Sequence, residues 1–473
     1  MLHLTILGAG PAGLAAAHRL ARRTDVEVRV VVLEKADAVG GMSRSFETDG
    51  LHLDFGSHRL HPACREDVLS DIQDLLGEDL LTRPRNGRIR MAGRMLKFPP
   101  NLLNLLFHCP PRFLLGVARD AVTKPFRREP AGKATFGNVL RSNLGRTMSE
   151  SFYFPYARKL WGLEPDEISP KQAYVRVKTG GMGQLLRKAF AGLGLVPGGK
   201  AVFHYPRNGF GQIQQAVADY VANDGVEVRT GASVKRIHHA PGERFIIEWA
   251  DGNGASESLE TDLIFSTIPV TLLPRLLEPG LAGVSNEVTP RLSFRSVVLL
   301  YLVLPVPQFS PYDAHYIPEE IFPFVRVSEP KNYAARSDPP DRTGLCLEIP
   351  CAPEDPLMQM PVEELAAQMA AHLARAGLPL PAEPLAVHRR TIPIAYPVYR
   401  LGYEAEQERM LRALTTVPRL VVFGRSGFFV HDNSHLAMAM GYDAANCIEP
   451  DGTWNASRWS DCLEEFKSFV VED

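Results

Sequence analysis

The 473-residue chain lacks any run of the roughly 18 to 20 uninterrupted apolar residues that a bilayer span requires. A membrane-spanning helix is therefore excluded at the level of sequence. Excess charge of either sign is also missing, with 52 Lys and Arg against 54 Asp and Glu. Without a long-range field to collect a polyanion, nucleic acid is not an expected partner. Cysteine is scarce, and Cys64, Cys109, Cys346, Cys351, Cys447 and Cys462 form none of the close pairs of a zinc site or disulfide framework. We expect no metal site and a reducing, cytoplasmic compartment. The first expected strand opens near residue 3, which leaves no room for a secretory leader. Repeats and low-complexity tracts are absent too.

What is present exceeds one ordinary core, so two or three units are expected, discontinuous in sequence and able to bury a large ligand. The longest near-apolar stretch, residues 102–122, is broken by Pro110-Pro111 and by charges. It reads as a helical pair packed on the domain, or as a segment lying on a membrane surface or lining an apolar substrate mouth.

Apolar residues 3–8 end in glycines, residues 12–23 carry an Ala/Leu helix pattern closing on arginine, and a second strand covers 26–33. Strand, glycine turn, helix and strand within about thirty residues open a doubly wound sheet. Alternation around Gly93 predicts a hairpin over 88–98, and residues 136–161 and 170–193 read as helices. The βα pattern resumes with a helix at 211–222, strands at 226–229, 233–238, 245–249 and 263–266. Sheet-like runs at 295–304, 346–350 and 388–394, with a helix at 362–376, suggest a second sheet. The chain closes with strand 420–423 and helix 434–447.

Gly8-Ala9-Gly10-Pro11-Ala12-Gly13 lies between the first strand and helix, the context in which this pattern has a mechanism. Gly8 makes the tight turn, Gly10 lets backbone approach a pyrophosphate, and Gly13 lets helix pack on strand. Glu34, beside Lys35 at the end of the second strand, is placed to accept from a ribose diol. A dinucleotide is expected; NAD and FAD satisfy the turn equally.

Val39-Gly40-Gly41-Met42-Ser43-Arg44 and Leu53-Asp54-Phe55-Gly56-Ser57-His58-Arg59-Leu60-His61 then follow. This pairing resembles the glutathione-reductase-type FAD domain of the amine oxidase and protoporphyrinogen oxidase superfamily, in the branch that includes UDP-galactopyranose mutase. Residues 154–162, 203–211, 323–330 and 395–399 are similar to that branch as well. So is the terminal signature Phe423-Gly424-Arg425-Ser426-Gly427 with His431-Asp432-Asn433-Ser434-His435-Leu436-Ala437. The resemblance implies an α/β fold: a discontinuous FAD-binding Rossmann domain (1–84, 201–285 and 411–473), a hairpin and helical insertion (85–200), and a mixed-sheet substrate domain (286–410).

It further implies non-covalent FAD held by Gly8, Gly10, Pro11, Ala12, Gly13, Glu34 and Lys35, then Gly40, Gly41, Met42 and Ser43. Gly56, Ser57 and His58 would lie against the isoalloxazine, with Val234 at the adenine. Gly424, Arg425, Asn433, Ser434, His435 and Leu436 would bring a helix start, capped by Asp432 or Asn433, to the pyrimidine end of the flavin. His58 is the leading catalytic candidate, Arg59 the second, and His61 weaker. Trp161, Arg326, Tyr396 and Tyr399 are substrate candidates. The lysine that amine oxidases place near flavin N5 has no counterpart identifiable by position. The expected reaction is hydride removal from a small organic substrate, with peripheral membrane contact open; the alternatives are a non-redox sugar-nucleotide mutase and a flavin-binding subunit without catalysis.

Overall fold

The computed structural model describes residues 1–98, 104, 107–124, 134–176, 202–281, 291–336 and 339–469. Parts of the expected segments at 102–122 and 170–193, and the last four residues, lie outside that set.

The opening strand Leu2–Leu7 is central to a five-stranded parallel sheet, ordered Leu420–Val422, Leu263–Ser266, Leu2–Leu7, Val28–Leu33, Glu227–Arg229. Its three inner strands are mainly apolar and mostly buried because both faces are covered. Helices Pro11–Ala21, Gln212–Asn223 and Ser434–Asn446 pack one face. Alanine and glycine dominate the contact between the first and last of these: a Cβ on Gly441 would sit 2.2 Å from the Ala12 carbonyl oxygen. On the other face the structure departs from the doubly wound expectation. A mixed sheet of Ser256–Thr261, Phe245–Ala250, Ser233–His238 and, parallel to the last, Leu277–Glu278 lies there with helix Tyr403–Thr415, burying Ile237, Phe245 and Ile247 against Leu7, Val31 and Ile264.

A seven-stranded mixed sheet forms the second layer, ordered Ala386–Pro397, Phe294–Leu304, Thr343–Cys351, Arg326–Ser328, Ala314–Tyr316, Gly87–Met91, Arg94–Phe98. The hairpin around Gly93 is its edge. Along Phe294–Leu304 side chains alternate. Val298, Leu300, Leu302 and Leu304 meet helix Val362–Arg375, while Val297, Leu299 and Tyr301 face the opposite way.

The helical segment expected over 136–161 comprises Phe136–Leu144, Arg146–Met148, a π-helical turn Ser149–Tyr153, and Phe154–Trp161. Gly145 breaks it at φ 87°, where a Cβ would lie 2.6 Å from the Cβ of Asp120. The wide turn precedes Pro155, which has no N–H to continue the ladder. Helices Glu66–Leu76, Tyr403–Thr415 and Ala456–Phe466 were not anticipated, and the last two sheet runs extend to Thr343–Cys351 and Ala386–Pro397.

Candidate functional site

The glycine turn explains two of its glycines by the protein alone. A Cβ on Gly8, at φ +101°, would fall 2.5 Å from Thr267 Oγ1, and one on Gly13 would fall 2.0 Å from the Gly8 carbonyl. Gly10 differs: a Cβ there meets nothing within 4 Å, and the residue borders a cavity of about 710 Å³. It is also the N-cap of helix Pro11–Ala21, where no side chain caps the first turn. Open space beside an uncapped helix start suits a diphosphate.

Glu34 borders the same cavity, held by main chain: Oε2 accepts the Ala9 N–H and Oε1 the Ala36 N–H, each at 2.8 Å. One lone pair per oxygen remains for a ribose. Gly40, at φ 100°, donates its N–H to the Ala9 carbonyl at 2.8 Å, so the double-glycine loop folds back against the turn. Lys35, Gly41, Met42, Ser43 and Val234 reach the cavity wall; Gly40 stays behind it.

Residues 55–59 form the adjoining wall, and two buried acids fix them. Asp54 accepts from Ser45 Oγ at 2.6 Å, from the Phe210 N–H at 2.9 Å and from the Tyr205 hydroxyl. Burial pushes its carboxyl above the usual range, and those donors oppose the shift. Glu348, in strand Thr343–Cys351, accepts the Ser57 N–H at 2.7 Å. Its carboxylate also forms a bidentate pair with Arg326, at 2.9 and 2.8 Å. Arg326, expected to meet a substrate, therefore borders the cavity with its guanidinium engaged on Glu348.

His58 borders the cavity and stacks on Phe210 at 5.3 Å. Its Nε2 lies 2.9 Å from the Phe55 carbonyl, an acceptor only, so Nε2 carries the proton. Burial lowers its pKa despite Asp54 nearby, leaving a neutral ring. Arg59 pairs with Asp313 at 3.4 Å and donates to the Tyr316 and Tyr333 hydroxyls, both at 3.2 Å. His61 is on the wall as well.

From the C-terminal part come Arg425, His431, Asp432, Asn433 and Ser434. Asn433 is the N-cap of Ser434–Asn446, without a side-chain cap bond. Asp432 is 7% exposed, and its Oδ2 accepts no hydrogen bond from the described residues. Burial pushes its carboxyl up to about 7, with Arg425 opposing. Arg425 donates to the Asp432 and Ala395 carbonyls at 2.7 and 3.0 Å. Tyr396 stacks on His431 at 5.5 Å, both on the wall.

Several expected site residues stand off the wall. Gly13 and Gly424 pack helix and strand, a Cβ on Gly424 lying 2.9 Å from that of Ala12. His435 and Leu436 are not among the cavity-lining residues. Trp161 is corrected to core: it is 3% exposed, edge-on to Phe136 at 5.6 Å in the helical block. Tyr399 is likewise buried, stacked on Tyr403 at 4.4 Å, with its hydroxyl accepting the His431 N–H at 2.9 Å. Lys159, half-buried, is lowered to about 7 by desolvation and donates to the Ile317 and Phe324 carbonyls at 2.6 and 2.8 Å. Sequence reasoning missed Glu348, although an acid inside the otherwise apolar run Thr343–Cys351 was its signal.

These residues fit a flavin dinucleotide: room at Gly10, a fixed acid at Glu34, and a buried carboxylate oxygen without a partner at Asp432. A family model described as flavin-containing amine oxidoreductase matches residues 11–435. A provisionally named flavin-containing monoamine oxidase of Mycobacterium tuberculosis is 30% identical over 249 residues, 50% of this chain and 51% of that protein. The chain thus spans about half the length of this curated relative. Among solved structures, a reduced UDP-galactopyranose mutase aligns with TM-score 0.78 at 20% identity, covering 100% of this chain and 98% of that one. A structure named as a protoporphyrinogen oxidase, provisionally, from Exiguobacterium sp. 255-15 aligns with TM-score 0.72 at 19% identity, covering 98% and 99%. At such identities the likeness establishes the fold alone.

Proposed function

The chain belongs to the flavin-containing amine oxidoreductase family, and from that premise we propose that it is an FAD-dependent oxidoreductase taking hydride from a small organic substrate. The observation that carries this reading is the convergence of Gly10, Glu34, residues 41–43, residues 55–59 and residues 431–434 on one cavity. Bound there, FAD supplies the two-electron chemistry, and the protein need only place substrate, tune the ring and exclude water.

Gly10 and the first amides of helix Pro11–Ala21 receive the diphosphate, and Glu34 accepts from the ribose. We take the hold to be non-covalent. The start of helix Ser434–Asn446 stabilises negative charge at the pyrimidine end. Asp54 and Glu348 keep the 55–59 loop in place. His58, neutral with its Nε2 proton on the Phe55 carbonyl, is an uncharged wall for the ring, and we keep it as the candidate for proton movement through Nδ1. Val297, Leu299, Ile392 and Ile394 line the cavity with Tyr156 and Leu160 and exclude water, and Tyr396 is the substrate-contacting side chain we retain.

The full-length fold likeness to a mutase favours a second reading, non-redox rearrangement of a sugar nucleotide. Against it, Arg59 and Arg326 are each held by a buried acid, so a nucleotide diphosphate would have to compete with Asp313 and Glu348 for them. The deciding experiment begins with purified protein and identification of the released flavin. Anaerobic bleaching by an amine or alcohol, one electron pair per product, or by a porphyrinogen, three electron pairs per porphyrin, supports oxidoreduction. Turnover of a sugar nucleotide only after dithionite reduction, with no net electrons consumed, overturns it in favour of the mutase.

A further inference from the structure

We propose that helix Pro111–Thr123 is a docking face for an anionic phospholipid surface. Arg112, Leu115, Arg119 and Val122 recur at intervals of three, four and three, which places them within an arc of about 80° on the helix. All four are exposed. Leu115 and Val122 are each 71% exposed and nearby Phe107 77%, the three most exposed large apolar side chains among the described residues.

The opposite face is clamped. Phe113 and Asp120 are buried, a Cβ on Gly116 would sit 2.6 Å from Thr147 Oγ1, and Asp120 accepts the Thr147 N–H at 2.6 Å. The helix cannot roll its leucine and valine inward without breaking this contact. Residues 83–124 carry nine Lys and Arg against one acid, Asp120, in a chain of net charge −2. That acid accepts the Thr147 N–H and lies 3.9 Å from the Arg119 guanidinium, and Arg94, Lys97, Arg112, Arg119 and Lys124 are exposed.

Exposed aliphatic side chains interleaved with arginine on one helical face suit the headgroup boundary of a bilayer, where the apolar groups insert and the guanidinium groups meet phosphate. A protein partner fits less well, because the core of a protein interface is depleted of charge and here Arg112 and Arg119 share the arc of Leu115 and Val122. Nucleic acid offers nothing for Leu115 and Val122. The inner cluster beneath the helix includes Phe98, whose ring lies 4.8 Å from that of Tyr316, a residue of the cavity wall. If the cavity is the active site as proposed above, the docked face lies on the same module as one of its walls.

The test is co-sedimentation of the full-length holoprotein with vesicles of equal parts phosphatidylglycerol and phosphatidylcholine, and with phosphatidylcholine alone. Binding is expected on the anionic vesicles, at least about tenfold weaker on neutral ones or in high salt. It should be lost in Leu115→Asp/Val122→Asp and in Arg112→Glu/Arg119→Glu, and kept in Arg112→Lys/Arg119→Lys, with flavin absorbance unchanged in each. Failure of the native protein to sediment with anionic vesicles at low salt, or undiminished binding by the first two variants, overturns the proposal. Vesicle binding is read without turnover, so this outcome is separate from the fate of the catalytic reading.

Discussion

Gly10 is the residue whose small size the protein itself does not require, because a Cβ there would touch no protein atom. Gly10→Val should therefore fold with a native circular dichroism spectrum and a near-normal Tm while its flavin-to-protein ratio falls at least about tenfold. A yellow, fully loaded variant would remove the turn from the site. Glu348→Gln keeps the shape of a side chain that joins Arg326 to the Ser57 amide and leaves the half-buried arginine without its acid. The loss of stability should be about 3 to 5 kcal/mol by urea unfolding. Flavin reduction by an identified substrate should slow more than flavin content falls, which a stopped-flow measurement on the loaded fraction would read.

Asp432 gives the pH dependence. Its carboxyl is pushed up to about 7 by burial, so the folded state holds this proton more tightly than the unfolded chain does. Below the ordinary carboxylate range both states are protonated and the group is neutral in effect. As pH rises towards 7 the unfolded chain ionises first, and folding loses stability across that window. In flavin-free protein, Asp432→Asn should be more stable than the native chain by up to about 4 kcal/mol at pH 8, with the gap closing near pH 4. A gap independent of pH would show that the carboxyl ionises normally.

Among the elements, the strand, turn and helix of residues 2–33 were legible because each is announced locally by an apolar run, glycines and an alanine-rich period. The hairpin at Gly93 and the helix Val362–Arg375 were legible for the same reason. The break within 136–161 was not, since it depends on Asp120 reaching Gly145 from another helix. Glu348, Asp313 and Tyr333 escaped notice because their roles come from partners more than two hundred residues away, as in the Glu348 bond to the Ser57 amide. Trp161 looked like a binding aromatic in a motif that turns out to be core. The pairing of helices Pro11–Ala21 and Ser434–Asn446 is another non-local fact, and it makes Gly441→Ala costly: we expect about 1 to 3 kcal/mol by denaturant unfolding, with weakened flavin retention, because the glycine turn rides on the displaced helix.

Across the whole molecule, the cavity is built by chain that returns to the parallel sheet from residues 227, 263 and 420 after long excursions. Chain length led us to expect several units and the glycine turn a dinucleotide, yet no local signal tells which wall residues from 156 to 160 and 392 to 396 will meet residues 55–59. Seven strands of mixed direction had to be paired first, and pairing at such separations is what a pattern of neighbours does not encode. The fold class was therefore plain in the sequence and the far wall of the site was not.

Strand Phe294–Leu304 carries two messages in one register. Its even positions hold the helix Val362–Arg375, and its odd positions 297 and 299 border the cavity. Variation at the odd positions can remodel the chamber without unsettling the scaffold, so relatives with different appetites need only edit alternate letters of this one strand, while a slip by a single residue would scramble both at once.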